Sequence, residues 1–198
     1  NYGAALDPRD IHNGNFLRPN DTSGIARIIT DFIGDATIEE VNAARGKKFA
    51  CVAADLVSSG QAVLTSGNAA VAASSCVPLM FRPVEIGEMH LVDGGVLNNI
   101  PADVCRMLGA DIVITVDVNP TRGENGTEKT GPLNVLKAVL GMMSANSSVN
   151  GIIDSDVLIS TDTSEFSSSK KQGYDEMFRR GYEAAKEKIY DIICAMYK

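Results

Sequence analysis

The chain has 198 residues, enough to enclose a hydrophobic core, and its 44% hydrophobic and 22% charged residues are ordinary for a globular protein. Its net charge of −7 argues against a surface that attracts nucleic acid. No two cysteines are spaced as CxxC, which argues against a zinc site. Cys51, Cys76 and Cys105 lie in apolar surroundings and are predicted to be core residues. Unpaired core cysteines favour a reducing, cytoplasmic location.

Helix and strand signals alternate along the first half of the chain. Residues 1–21 are rich in turn formers and are predicted to be a loop. Thr22 or Ser23 can cap a helix that runs through Ile33 and ends at Gly34. The pattern that follows predicts a short helix, two strands and a helix of small residues, over 37–42, 49–56, 61–65 and 68–74.

A short strand over residues 89–92 ends at a turn that contains an acid and two glycines. Asp93 stops the strand, and Gly94 and Gly95 allow a backbone turn that a residue with a Cβ would resist. Gly95 is expected to take a positive φ or to lie against another loop. Carboxylates at strand ends are where α/β folds place their chemistry, so the turn is a candidate site.

The second half of the chain continues the α/β pattern. A helix over residues 102–108 is followed by the apolar, β-branched run 112–116, which predicts a strand buried on both faces. The remaining predictions are an exposed loop, a helix, a strand and a long helix, over 120–132, 133–143, 156–160 and 174–196. An apolar stripe on the last helix is predicted to pack in the core: Phe178, Tyr182, Ala185, Ile189, Ile192 and Met196.

Several motifs occur in order between about Ile25 and Ile189. They are Ala54-Asp55-Leu56 with Ser59-Gly60, Ala73-Ser74-Ser75-Cys76-Val77-Pro78 with Phe81-Arg82-Pro83-Val84, Asp93-Gly94-Gly95, Asn98-Asn99-Ile100-Pro101, Leu108-Gly109-Ala110-Asp111 and Val116-Asp117-Val118. In this order and spacing they resemble the patatin-like phospholipase family. The resemblance implies a three-layer α/β/α fold with a mainly parallel sheet, and lipid acyl hydrolysis by a Ser-Asp dyad without a cofactor.

The sequence departs from this family at the nucleophile. No serine or cysteine has a glycine two residues before it, so the chain has no G-x-S-x-G elbow. The glycine-rich loop that holds the oxyanion in the family is also missing. The 198 residues are therefore expected to be a single patatin-like domain without its N-terminal part, and inactive alone. The expected partners are that segment, an acyl-ester lipid such as a phospholipid, and transiently a membrane surface.

The resemblance makes Asp93 the catalytic aspartate, with Gly94 and Gly95 as the active-site turn. Asp93 would orient the serine hydroxyl and accept its proton, directly or through water. The alternative for Asp93 is a cap on a turn or helix. A Ser-His-Asp triad would need His12 or His90, the two histidines of the chain.

Other functions remain open. A non-catalytic α/β binding or scaffold protein would also lack a nucleophile. A nucleotide-binding domain could use Asp117, but no glycine fingerprint precedes that residue. Asp154 and Asp156 lack the spacing of a calcium loop, so no metal site is predicted.

Overall fold

The described residues form both helices and strands, in agreement with the predicted α/β class. The computed structural model describes residues 22–118, 131–163, 166 and 173–197. It divides into two compact units, with the boundary between Asn99 and Ile100. The predicted loop at 1–21 and residues 120–130 of the predicted loop at 120–132 lie outside the described residues.

The first unit contains a four-stranded antiparallel sheet. Its strands, β1 to β4, lie in the order β2-β1-β4-β3 and span Cys51–Asp55, Gly60–Leu64, Val84–Ile86 and Met89–Asp93. Every residue of β1 is buried, as its apolar composition predicts. The apolar core beside the sheet contains Ile38, Cys51, Ala53, Leu64, Ala70, Ala73 and Leu91.

Three helices accompany this sheet close to where the sequence predicts them: α1 (Ser23–Ile33), α2 (Ile38–Arg45) and α3 (Ala70–Ser74). Helix α2 begins with a capping box, in which the Glu40 N–H donates to Thr37 Oγ1 at 3.3 Å and the Thr37 N–H donates to Glu40 Oε2 at 2.8 Å. Such reciprocal bonds satisfy donors that a helix start would otherwise leave unpaired.

The second unit is built around two parallel strands. These are β5 (Ile114–Asp117) and β6 (Val157–Ser160). Four helices accompany them: α4 (Ala102–Met107), α5 (Pro132–Ile153), α6 (Tyr174–Glu187) and α7 (Ile189–Met196). None of the helices within the described residues is long and apolar enough to cross a lipid bilayer.

Arg106 fastens α4 to the end of α5 and the start of β6. Its guanidinium donates to the Asp111 carbonyl at 2.5 Å and the Asp154 carbonyl at 3.3 Å, and it pairs with the Asp156 carboxylate. Asp156 also accepts the Val113 N–H at 2.9 Å. This carboxylate therefore has a structural role in the chain.

The predicted mainly parallel, three-layer sheet is not confirmed. Among the described strands, β1 to β4 pair antiparallel, and only β5 and β6 pair parallel. Strand direction depends on tertiary pairing, which apolar runs do not report. The short turn between β1 and β2 joins them as a hairpin, a connection that antiparallel strands alone can use.

Three burial predictions are wrong, the first of them for Cys105, which was expected in the core and is exposed on α4. The β5 strand is buried on one face only, because Ile114 is 44% and Val116 is 62% exposed, whereas Thr115 and Asp117 are buried. The predicted final helix is broken at Lys188, and most of its stripe is exposed, with Phe178 at 77%. Helical spacing gathers apolar residues on one face but does not supply the surface that covers them.

Candidate active site

Strand β4 delivers Asp93 to the end of the antiparallel sheet. Asp93 is the last residue of β4 and pairs with Ala53 of β1, and these two strands are the inner strands of the sheet. Its N–H donates to the Cys76 carbonyl at 2.9 Å, so the main chain at Asp93 is held on two sides. The predicted strand and its end at Asp93 are confirmed.

Gly94 is the more tightly enclosed of the two glycines. With Gly95 and Val96 it forms a single 3-10 turn directly after β4. A Cβ on Gly94 would overlap the Val52 carbonyl oxygen and lie 2.6 Å from the Val52 carbonyl carbon. The main chain of β1 cannot move aside as a flexible side chain can, so this position requires glycine.

Gly95 does not have the positive φ that the sequence suggested. Its constraint comes from two side chains, since a Cβ there would lie 2.9 Å from Asn99 Oδ1 and 3.1 Å from Asp93 Oδ1. The turn therefore brings Asp93, Gly95 and Asn99 together. The sequence motifs contain Asn99 but gave it no role in the site.

One oxygen of the Asp93 carboxylate is bound within the turn. Oδ1 accepts the Gly95 N–H at 2.8 Å, whereas Oδ2 has no hydrogen-bond donor among the described residues. Asp93 thus caps the 3-10 turn, as the alternative interpretation anticipated, and still has an oxygen that can accept a proton from another group. Capping and catalysis are compatible at this carboxylate.

Burial changes the acidity of the groups around the turn. Removal from water raises the pKa of Asp93, and the Gly95 N–H lowers it in part. The pKa of the neighbouring Cys76 thiol is raised to about 11, mainly by burial and further by the negative charge of Asp93. Cys76 donates its S–H to the Arg82 carbonyl at 2.8 Å and is therefore a protonated core residue at neutral pH.

Asp55 is the last residue of β1. It stabilises the β1–β2 hairpin and links it to the neighbouring strand β4. It accepts the N–H groups of Val57 and Ser58 at 3.1 Å, the Ser58 hydroxyl at 2.6 Å and the His90 N–H at 3.0 Å. These bonds, the Ser58 hydroxyl foremost, lower its pKa to about 2. The sequence placed Asp55 in a motif without giving it a role, although an acid before Ser-Ser-Gly is a signal for such a turn.

The other candidate carboxylates lie in the second unit. Asp117 is buried at the end of β5, and Asp156 pairs with Arg106. Within the described residues, no three histidine, cysteine or acidic side chains are grouped so that they could hold a metal ion. The Asp93 turn is therefore the candidate site.

A family model for the patatin-like phospholipase matches residues 3–106, about half of the chain. The match includes the whole Asp93–Asn99 turn. The chain belongs to the patatin-like phospholipase family. The resemblance found in the sequence motifs is thereby confirmed.

Relatives of this patatin-like chain are much longer than the matched segment. An uncharacterized NTE family protein of Mycobacterium tuberculosis is 38% identical over 120 residues, which are 60% of this chain and 20% of the relative. Patatin-like phospholipase domain-containing protein 7 of Mus musculus is 31% identical over 102 residues, 48% of this chain and 7% of the relative. The patatin-like chain spans about a fifth or less of the length of these relatives.

Proposed function

We propose that this chain carries the acidic half of a serine lipid acyl hydrolase. Asp93 is the proton acceptor of a Ser-Asp dyad, and the serine is supplied by sequence outside these 198 residues. The observation that carries the proposal is the Asp93 carboxylate, in which Gly95 holds Oδ1 while no described residue donates to Oδ2. A carboxylate held at one oxygen is oriented and can still accept a proton at the other.

The reaction is ester hydrolysis in two steps. Asp93 accepts the serine proton as the serine oxygen attacks the ester carbonyl, and the proton then passes to the alcohol that leaves as the acyl-enzyme forms. Water attacks the acyl-enzyme and gives a proton to Asp93, which passes that proton to the serine oxygen as the fatty acid is released. Backbone N–H groups would stabilise the oxyanion in both steps, so the reaction needs no cofactor.

The environment of Asp93 suits this role. Burial raises the pKa of the carboxylate, and a higher pKa makes it a stronger base once it is ionised. Gly94 supports the same role by allowing the turn to lie against β1 without an intervening side chain. The substrates are acyl-ester lipids, which such an enzyme meets through transient contact with a lipid surface.

The proposed serine requires a further strand to carry it, and this strand needs a place in a sheet. We propose that the strand that delivers the nucleophile lies in a mainly parallel sheet with helices on both faces. The support is β5, which pairs only with β6 among the described strands and exposes Ile114 and Val116 on one face. Further parallel strands and a covering helix would bury these side chains.

The experiment is ester hydrolysis by the full-length protein that contains this chain. Asp93→Asn should lower kcat for a nitrophenyl butyrate by about 10³-fold or more, because the serine loses its base. The exposed Asp35, changed to Asn, is the matched control and should keep wild-type turnover. Near-normal turnover by a folded Asp93→Asn protein would rule out the dyad, and a folded wild type without activity would favour the scaffold function.

A further inference from the structure

Asn99 approaches the Asp93–Gly95 turn on the side where Gly95 has no side chain. Its Oδ1 lies 2.9 Å from the position that a Gly95 Cβ would take, and Asp93 Oδ1 lies 3.1 Å from the same point. The two side chains therefore share the space above one α carbon. A residue larger than glycine at position 95 would compete with both for that space.

Hydrogen bonds hold the main chain between Gly94 and Asn98. Gly94 accepts the N–H groups of Leu97 and Asn98, at 3.0 Å and 2.8 Å. The side chain of Asn98 donates to Gln61 Oε1 on β2 at 2.9 Å, which ties the turn to the sheet. These bonds hold the main chain up to Asn98, and the half-buried side chain of Asn99 follows next to Gly95.

We propose that Asn99 is a positioning residue for Asp93, an inference that rests on the proposed hydrolase function. Its amide occupies the space above Gly95 and prevents the Asp93 carboxylate from turning over that glycine. Oδ1 then stays on the Gly95 N–H, and Oδ2 is left to accept the proton of the serine. A defined orientation of the base raises kcat without contributing to substrate binding.

If Asn99 positions Asp93, a substitution of Gly95 should lower activity by disturbing these two side chains. A methyl group at position 95 would displace the end of the Asn99 side chain, whereas the same change at Gly94 would strike the main chain of Val52. Gly95→Ala should therefore reduce catalysis by crowding Asn99 Oδ1 most closely and Asp93 Oδ1 next. Its effect on stability should be smaller than that of Gly94→Ala, because the nearest atoms at position 95 belong to side chains and not to the main chain.

A double-mutant cycle in the full-length protein tests this link. Asn99→Ala and Gly95→Ala should each lower kcat for a nitrophenyl ester by about 10-fold with KM unchanged, since a base displaced by less than 1 Å reacts more slowly. The double variant should lose less than the product of the two single losses, because the methyl group then has no amide to displace and crowds Asp93 alone. Gly141→Ala, on an exposed helix position, is the matched control and should keep wild-type kcat.

The isosteric Asn99→Asp variant separates positioning from structure. A second carboxylate beside Asp93 should move the acidic limb of the kcat/KM profile upward by about one pH unit, because like charges oppose ionisation. Equal losses for Gly95→Ala with and without Asn99, or an unmoved acidic limb, would overturn the role of Asn99. An inactive wild-type protein would instead overturn the proposed function on which the inference rests.

Discussion

Gly94 lies directly against the main chain of Val52, so the site turn and the central strand of the sheet are in backbone contact. Gly94→Ala should lower the free energy of unfolding by about 1–3 kcal/mol, because the methyl group must push the two segments apart. Gly141→Ala, where a Cβ would meet nothing within 4 Å, should be neutral or stabilising by up to about 1 kcal/mol. Urea denaturation of both variants measures the difference, and equal stability would show that the contact is not restrictive.

Asp55 should make the protein sensitive to acid. Its pKa falls from 3.8 to about 2 on folding, so it stabilises the folded state above pH 4 and loses that contribution as the pH falls toward 2. Asp55→Asn should lower the melting temperature at pH 7 and weaken the decline below pH 4. Thermal melts of both proteins between pH 2 and pH 7 test this expectation, which an unchanged slope in the variant would contradict.

Asp93 should show the opposite dependence on pH. Because burial raises its pKa, the folded state loses stability as the pH rises from the usual carboxyl pKa through the raised value. Asp93→Asn removes that loss, so the stability of the variant relative to wild type should be greater at pH 7 than at pH 3. Urea denaturation at the two values measures the difference. A variant that is relatively less stable at pH 7 would mean that the ionised carboxylate stabilises the fold.

The four cysteines should differ in reactivity. Cys51 and Cys76 are buried, and burial raises the pKa of each thiol, so neither is exposed or ionised at neutral pH. Cys105 and Cys194 are exposed and should react first with a thiol reagent under native conditions. Mass spectrometry of partially labelled protein identifies the order, and early labelling of Cys76 would show that the site turn opens.

Sequence patterns predicted local structure well where the signal is local. The short helix that begins after Thr37, the strand that ends at Asp93 and the small-residue helix near Ala70 all lie close to where they were predicted. Each follows from a short-range hydrogen bond, a turn or a run of apolar residues, which neighbouring positions determine.

Features that depend on distant residues could not be predicted in the same way. Cys105 lies in an apolar run, yet its side chain is exposed on α4, because burial depends on what packs against the helix. Asn99 acts through its approach to Gly95, a contact made only when the turn has closed. Strand direction likewise depends on partners that the run 112–116 does not specify.

Labelling with a fluorophosphonate probe tests the dyad most directly, because the probe reacts covalently with an activated serine. In the full-length protein, we predict that the probe labels one serine in a segment outside these 198 residues, and that Asp93→Asn reduces the rate of labelling by about 10²-fold or more. The Asp35→Asn control should label at the wild-type rate. Undiminished labelling of folded Asp93→Asn protein, or labelling of a serine within the 198 residues, would contradict the account.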